Sequence, residues 1–160
     1  MQEIKRCEMN FRLNLIILSI FLITFSAFPQ KMQTPIPLIV STSLGVTTEC
    51  NAIGFFYKYH AETVTIEGTQ DSFNIENERG VNRLSLKYLV SAEFKIEEIR
   101  GKRKIYCEWT ARFPGSKANE VFKGHYPRDL EDVYNISLVC VRSQGEYLID
   151  VRTIQNIKRK

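Results

Sequence analysis

Between Ser91 and Phe113, apolar side chains recur at every second position. Phe94 and Ile96 precede the turn Arg100-Gly101-Lys102-Arg103-Lys104, and Ile105, Cys107, Trp109, Ala111 and Phe113 follow it. Only an extended chain places alternate residues on one face, so the spacing predicts a β-hairpin with one side on a core. Tyr106, Glu108, Thr110 and Arg112 then share the opposite face. Asp132 to Val141 (DVYNISLVCV) is apolar on both faces, the pattern of a central strand. Ser143-Gln144-Gly145 turns it into a further strand, Tyr147 to Ile154. Phe55 to Gly68 is ambiguous, because Phe56, Tyr57, Ala61 and Val64 suit one helical face whereas Thr63 to Ile66 are β-branched. The reading taken is a helix ended by Gly68. Thr69 to Arg83, rich in Asn, Asp, Glu and Ser, reads as a long surface connection, and Lys117 to Arg128 as a loop. The expected fold class is α+β, with one helix packed on a curved antiparallel sheet.

The N-terminus sets the compartment. Lys5, Arg6 and Arg12 lead into the apolar run Leu15 to Phe25, and Ser26 and Ala27 close it, which is the order of a cleaved secretory signal. The run is too short to span a bilayer comfortably, so no membrane association is expected after cleavage. The domain organisation is then a signal peptide over 1–27, a proline-containing leader or extended arm over 28–47, the packed domain over 48–157 and a basic tail over 158–160. With 160 residues, 44% hydrophobic and 25% charged, the chain has the balance of one globular domain, expected as a monomer. Its net charge of +4 permits RNA contact without requiring it.

In an oxidising compartment Cys50, Cys107 and Cys140 give one pair and one spare thiol. Cys50 with Cys140 is the preferred disulfide, since it ties the start of the domain to the central strand and closes a loop worth about 4 kcal/mol in the chain-entropy model. Cys107 is then a buried thiol. Neither the cysteine spacing nor His60 and His125 fits a zinc pattern, so no metal and no cofactor are expected. Asn135-Ile136-Ser137 is a glycosylation sequon, expected to stay unused because it falls in the central strand.

No phosphate-binding glycine loop, His-Glu-x-x-His or nucleophile elbow is present. What the chain offers is an order of features: Cys50-Asn51 with Phe55, Phe56, Ala61 and Val64; Tyr106-Cys107-Glu108-Trp109; Val121-Phe122-Lys123-Gly124-x-x-Pro127; and Val133-Tyr134-Asn135. In that order the sequence resembles the small secreted guanyl-specific ribonucleases of fungi, and most of all their degenerate relatives, the RNase-like effectors of powdery mildew fungi. The resemblance covers about residues 48 to 155 and implies a helix on a curved sheet. It places Glu108 at the position of the catalytic base. The arginine expected after Gly-x-x-Pro is replaced by Glu131, with Arg128 nearby, and neither expected histidine is found at its position. A pseudo-ribonuclease is therefore implied: secreted, translocated into the host cytoplasm, and binding a host plant protein or host RNA.

Arg100, Lys102, Arg103, Lys104, Tyr106 and Arg112 are the RNA-binding candidates, cations for backbone and rings for bases. Phe122, His125, Tyr126 and Arg128 are the candidates for a protein interface. Two alternatives stand beside this reading. One is an active endoribonuclease with Glu108 as base and His125 brought opposite it. The other is an unrelated secreted α+β inhibitor or interaction module.

Overall fold

The computed structural model describes residues 34–160, so the expected signal peptide and the first part of the leader lie outside the described residues. Those described form an antiparallel sheet of eleven strands: β1 Ile36–Thr42, β2 Thr47–Ala61, β3 Val64–Gln70, β4 Ser72–Asn77, β5 Gly80–Ser85, β6 Leu89–Ile99, β7 Lys102–Ala111, β8 Glu120–His125, β9 Val133–Arg142, β10 Gly145–Asp150 and β11 Ile154–Arg159. The hydrogen-bonding order is β10-β9-β2-β1-β11-β6-β7-β8-β4-β5, with β3 also paired to β2. Strands make up 71% of the described residues, and no helix among them reaches seven residues.

The expected α+β class, and with it the helix on a curved sheet that the ribonuclease resemblance implies, is thereby corrected, and the correction falls on Phe55 to Gly68. These residues are the second half of β2, a turn and most of β3, paired from Phe55↔Gln70 to Ala61↔Val64. Phe55 and Tyr57 are buried while Phe56 and Lys58 are not, a period of two running through what also fits a helical face. The β-branched Val64, Thr65 and Ile66 and the aromatics favour the pleated surface, and β2 finds partners on both edges. Glu62 makes the reversal with φ of 52°, in the left-handed region that favours glycine.

Four further expectations change, the first being the loop over Lys117 to Arg128, which contains β8 paired to β7 from Tyr106↔His125 to Ala111↔Glu120. Residues 36–42, placed in the leader, are a strand between β2 and β11 with Leu38 and Val40 wholly buried. Residues 69–83 contain most of the β4–β5 hairpin, whose Phe73 and Ile75 belong to the core. Lys158, placed in the tail, is paired within β11 to Ile39 and Ser91. The hairpin at the basic turn is as the alternation requires: β6 and β7 pair from Leu89↔Ala111 to Ile99↔Lys102, with Ile105, Cys107, Trp109 and Ala111 inward. β9 is flanked on both edges, by β2 and β10.

The sheet returns on itself through β2. The first half of β2 pairs with β1 and its second half with β3 on the same edge, and β3 runs through Asp71 into β4, which meets β8 at Glu76↔His125. Strands remote in the pairing order therefore meet inside. The rings of Phe55 and Phe73 lie 5.2 Å apart, Phe73 and Phe94 5.4 Å, and Phe55 and Trp109 6.4 Å. The disulfide is Cys50–Cys140, fastening β2 to β9, and Cys107 is the free buried thiol, held un-ionised by its burial.

Closure at β4 and β8 depends on a missing side chain. A Cβ on Gly124 would stand 2.4 Å from the backbone oxygen of Glu76, a contact that no rotamer change relieves. Gly68, on exposed β3, has nothing within 4 Å of the same position. We expect Gly124→Ala to lower unfolding free energy by roughly 1–3 kcal/mol, the range for forced overpacking, and Gly68→Ala to leave it within experimental error. Urea unfolding of the two variants beside the parent checks both.

Candidate functional site

The outward faces of β6, β7 and β8 carry most of the chemistry. Period two aligns Glu93, Lys95 and Glu97 on β6 with Lys104, Tyr106 and Glu108 on β7 and Lys123 and His125 on β8, while Phe94, Cys107 and Trp109 point into the core. Glu108 stands opposite both Glu93 and Lys123, and its Oε2 is 2.8 Å from Lys123 Nζ. One pair along, Tyr106 stands opposite Lys95 and His125; the amine lies 4.5 Å from its ring centre and the imidazole meets it edge to face at 5.3 Å. His125 Nε2 is 2.8 Å from Glu97 Oε2, and Lys95 Nζ is 2.6 Å from Glu97 Oε1. Two hydrogen bonds, from Lys95 first and His125 second, hold the Glu97 carboxyl below the usual carboxylate range. A polar recess of about 460 Å³ lies beside this face, lined by Glu93, Lys95, Tyr106, Glu108, Gln155 and Asn156 among others.

Glu108 and His125 thus share one face, diagonally placed on neighbouring strands at a spacing of roughly 7–8 Å. They are not partnered with each other: the carboxylate is bonded to Lys123 and the imidazole to Glu97. Lys95, Glu97 and Lys123 escaped the sequence reading, although Glu97 and Lys95 alternate with Phe94 and Ile96 and so must face outward with Tyr106.

The basic turn is arranged differently from the expected RNA site. Lys102 Nζ lies 2.5 Å from Asp129 Oδ2, Lys104 Nζ 3.5 Å from Asp129 Oδ1, and Arg103 Nε 3.0 Å from Glu131 Oε1. Arg100, at φ 53° in the turn, makes no ion pair with a described residue. Arg112 donates to the Asn119 side-chain oxygen at 2.8 Å. The acidic residues come from the short 3-10 turn before β9 and its leading residue, which no local pattern ties to a hairpin some thirty residues earlier.

Of the protein-interface candidates, Tyr126 belongs to the core: it is 5% exposed and stacked on Tyr57 at 6.0 Å, and burial pushes its hydroxyl up to about 12. Phe122 is half-buried and meets Phe113 edge to face at 6.2 Å. The Arg128 guanidinium covers the Tyr59 ring at 3.9 Å. Tyr59 lies on a feature that a helix over Phe55 to Gly68 would not form. Beyond the core the β2–β3 hairpin continues as an arm, on which Tyr59 pairs with Ile66 and Ala61 with Val64. Val64 and Ile66 are 59% and 42% exposed. On the arm's other side His60 meets exposed Tyr134 edge to face at 4.4 Å.

Among the described residues no three His, Cys, Asp or Glu side chains gather as a metal site would require, and no helix is long and apolar enough to cross a membrane. No protein-family model matches the chain, and neither a curated protein nor a solved structure matches it.

The hydrogen bond from Lys102, reinforced by the charges of Lys102 and Lys104, holds Asp129 below the usual carboxylate range. Because the folded-state value is depressed, this stabilisation is fully present above the unfolded carboxylate value of about 4 and is lost as pH falls through the folded one. Asp129→Asn should therefore reduce the loss of stability on acidification below about pH 4, read by thermal unfolding against pH. It should also raise retention on single-stranded RNA at low salt, by releasing two lysines. Unchanged retention would show that these amines are not restrained by their pairing.

Proposed function

We propose that the chain acts by binding a protein, as a secreted effector of the non-catalytic kind, on an all-β scaffold. The observation that carries this reading is the distribution of satisfied and unsatisfied surface. Three of the four cations in the basic turn are paired within the chain, whereas the β2–β3 arm leaves Val64 and Ile66 open to solvent on the side of the Arg128–Tyr59 stack, and Tyr134 of β9 is exposed against the arm's other side. Tyr and Arg beside exposed aliphatic side chains are the composition from which protein-binding anchors are built. Nucleic-acid affinity instead needs cations free to replace counterions at phosphates. The secretory reading of the N-terminus and the Cys50–Cys140 disulfide agree with a protein made for an oxidising compartment. A host plant protein is the partner the resemblance implies.

The test is affinity capture from nuclease-treated host extract, comparing the parent with Ile66→Asp/Tyr134→Ser and with Arg100→Ala/Arg103→Ala. The expected result is one saturable partner, retained by the turn variant and lost, by tenfold or more in affinity, by the arm variant. A partner lost equally by both, or seen only before nuclease treatment, would overturn the reading.

A second reading is favoured by one feature, the presence of Glu108 and His125 on a single face among Lys95, Lys123 and Tyr106. A carboxylate able to take a 2′-hydroxyl proton, an imidazole able to supply a proton to the leaving oxygen and two amines near the phosphate are what endoribonucleolytic cleavage requires. On this reading the protein cleaves single-stranded RNA, and Glu108→Gln and His125→Ala each lower the rate by about 10²-fold or more. No turnover by the parent, with intact fold, leaves protein binding as the account.

A further inference from the structure

Asn135-Ile136-Ser137 is the chain's only Asn-x-Ser/Thr sequence, and β9 carries it where the sheet leaves room. The β10 ladder on β9 ends at Asp150↔Ser137, so at Asn135 the pairing strand is β2 alone, through Lys58↔Asn135. Ile136 points into the core and Asn135 outward, partly exposed, beside Lys58 and Glu67, which pair with each other on the surface. The Ser137 hydroxyl donates to Asn135 Oδ1 and so fixes the carbonyl side of the amide inward. Nδ2 has no hydrogen-bond partner among the described residues, and the one buried, unpartnered side-chain polar atom among them is Trp109 Nε1. Asn135 Nδ2 therefore reaches solvent.

We propose that Asn135 is an N-glycosylation site, an inference that rests on the secretory reading of the N-terminus. The donor is a lipid-diphosphate-linked oligosaccharide of the secretory pathway. The bond between Asn135 Nδ2 and the sugar C1 forms, the C1–oxygen bond to the diphosphate breaks, the lipid diphosphate leaves with the electron pair, and one amide proton passes to a base of the transferase. Transfer takes place on the unfolded chain, so what the folded structure decides is whether the product can fold. The expectation that a central strand excludes a glycan is answered by the geometry: the modified nitrogen points outward past the end of β10, and the Ser137 hydrogen bond is made to the oxygen, which modification leaves in place.

The test is expression of the full chain in a eukaryotic secretory host, with protein from the medium treated with a peptide amidase that removes N-glycans. The parent should lose mass on treatment and show Asp at position 135 by peptide mass spectrometry. Ser137→Thr, which keeps the sequon, should behave the same, and Asn135→Gln should be secreted folded but unmodified. Parent chain recovered from the medium without glycan overturns the proposal while leaving the secretory reading intact. Chain that stays unmodified in the cytosol, with Cys50 and Cys140 reduced, overturns both.

Discussion

The packing of Phe55, Phe73, Phe94 and Trp109 is the interaction on which the rest of the molecule depends. These rings come from β2, β4, β6 and β7, and they meet only because β2 is long enough to hold β1 and β3 along one edge, so that the chain can pass from β3 into β4 and return to β8. Each ring buries a large apolar area and fixes the distance between strands that share no hydrogen bonds. Cys50–Cys140 fastens the same region covalently on the β9 side. Removal of Phe73 would open the contact to Phe55, Phe94 and Tyr126 together, and truncations of this kind cost several kcal/mol because surrounding side chains cannot collapse fully into the space.

Inward packing also decides what the outer surface can do. With Cys107, Trp109 and Phe94 turned to the core, period two forces Glu108, Tyr106, Lys95 and Glu97 outward, and cross-strand register makes them neighbours of Lys123 and His125. Opposite charges facing one another on a sheet satisfy each other at small energetic gain, since most are exposed. Their larger effect is on recognition. A face whose carboxylates and amines are mutually paired offers little net field to an anionic polymer, and the same holds for the basic turn, where Asp129 and Glu131 answer three of its cations. The β2–β3 arm lies beyond this balance, with Val64 and Ile66 left partly open to solvent.

Much of this was legible in the sequence, and the limits have physical causes. The β6–β7 hairpin was readable because one residue in two is apolar over a long run, a pattern no helix shares, and β9 because both of its alternating faces carry apolar residues, as in a central strand. Cys50 with Cys140 is the pairing that ties the domain's start to its central strand, and the structure has that bond. Residues 55–68 misled because Phe56, Tyr57, Ala61 and Val64 also satisfy a helical spacing. What decides them is the pairing of β2 with β9, a contact between segments about eighty residues apart to which local propensity is blind. Strand β1 was hidden by Pro35 and Pro37, which read as an extended arm although proline is tolerated near a strand's start. Glu108 and His125 stand out in the sequence as candidates, but Lys123 and Glu97 become their neighbours only through strand register, and Asp129 reaches the turn only through the path of the segment before β9.

The measurement that bears most directly on this account is the salt dependence of single-stranded RNA binding by the intact protein. If the cations of the basic turn and of the β6–β8 face stay engaged by the chain's own carboxylates, replacing Lys102, Arg103 and Lys104 by alanine should leave the slope of log K against log salt unchanged within about one phosphate contact, and the parent's own slope should be shallow. A slope of about −3 or steeper, the value for four phosphate contacts at roughly 0.7 each, would mean that the turn's lysines and arginines abandon their partners for RNA. That result would contradict a protein-binding surface as the basis of function.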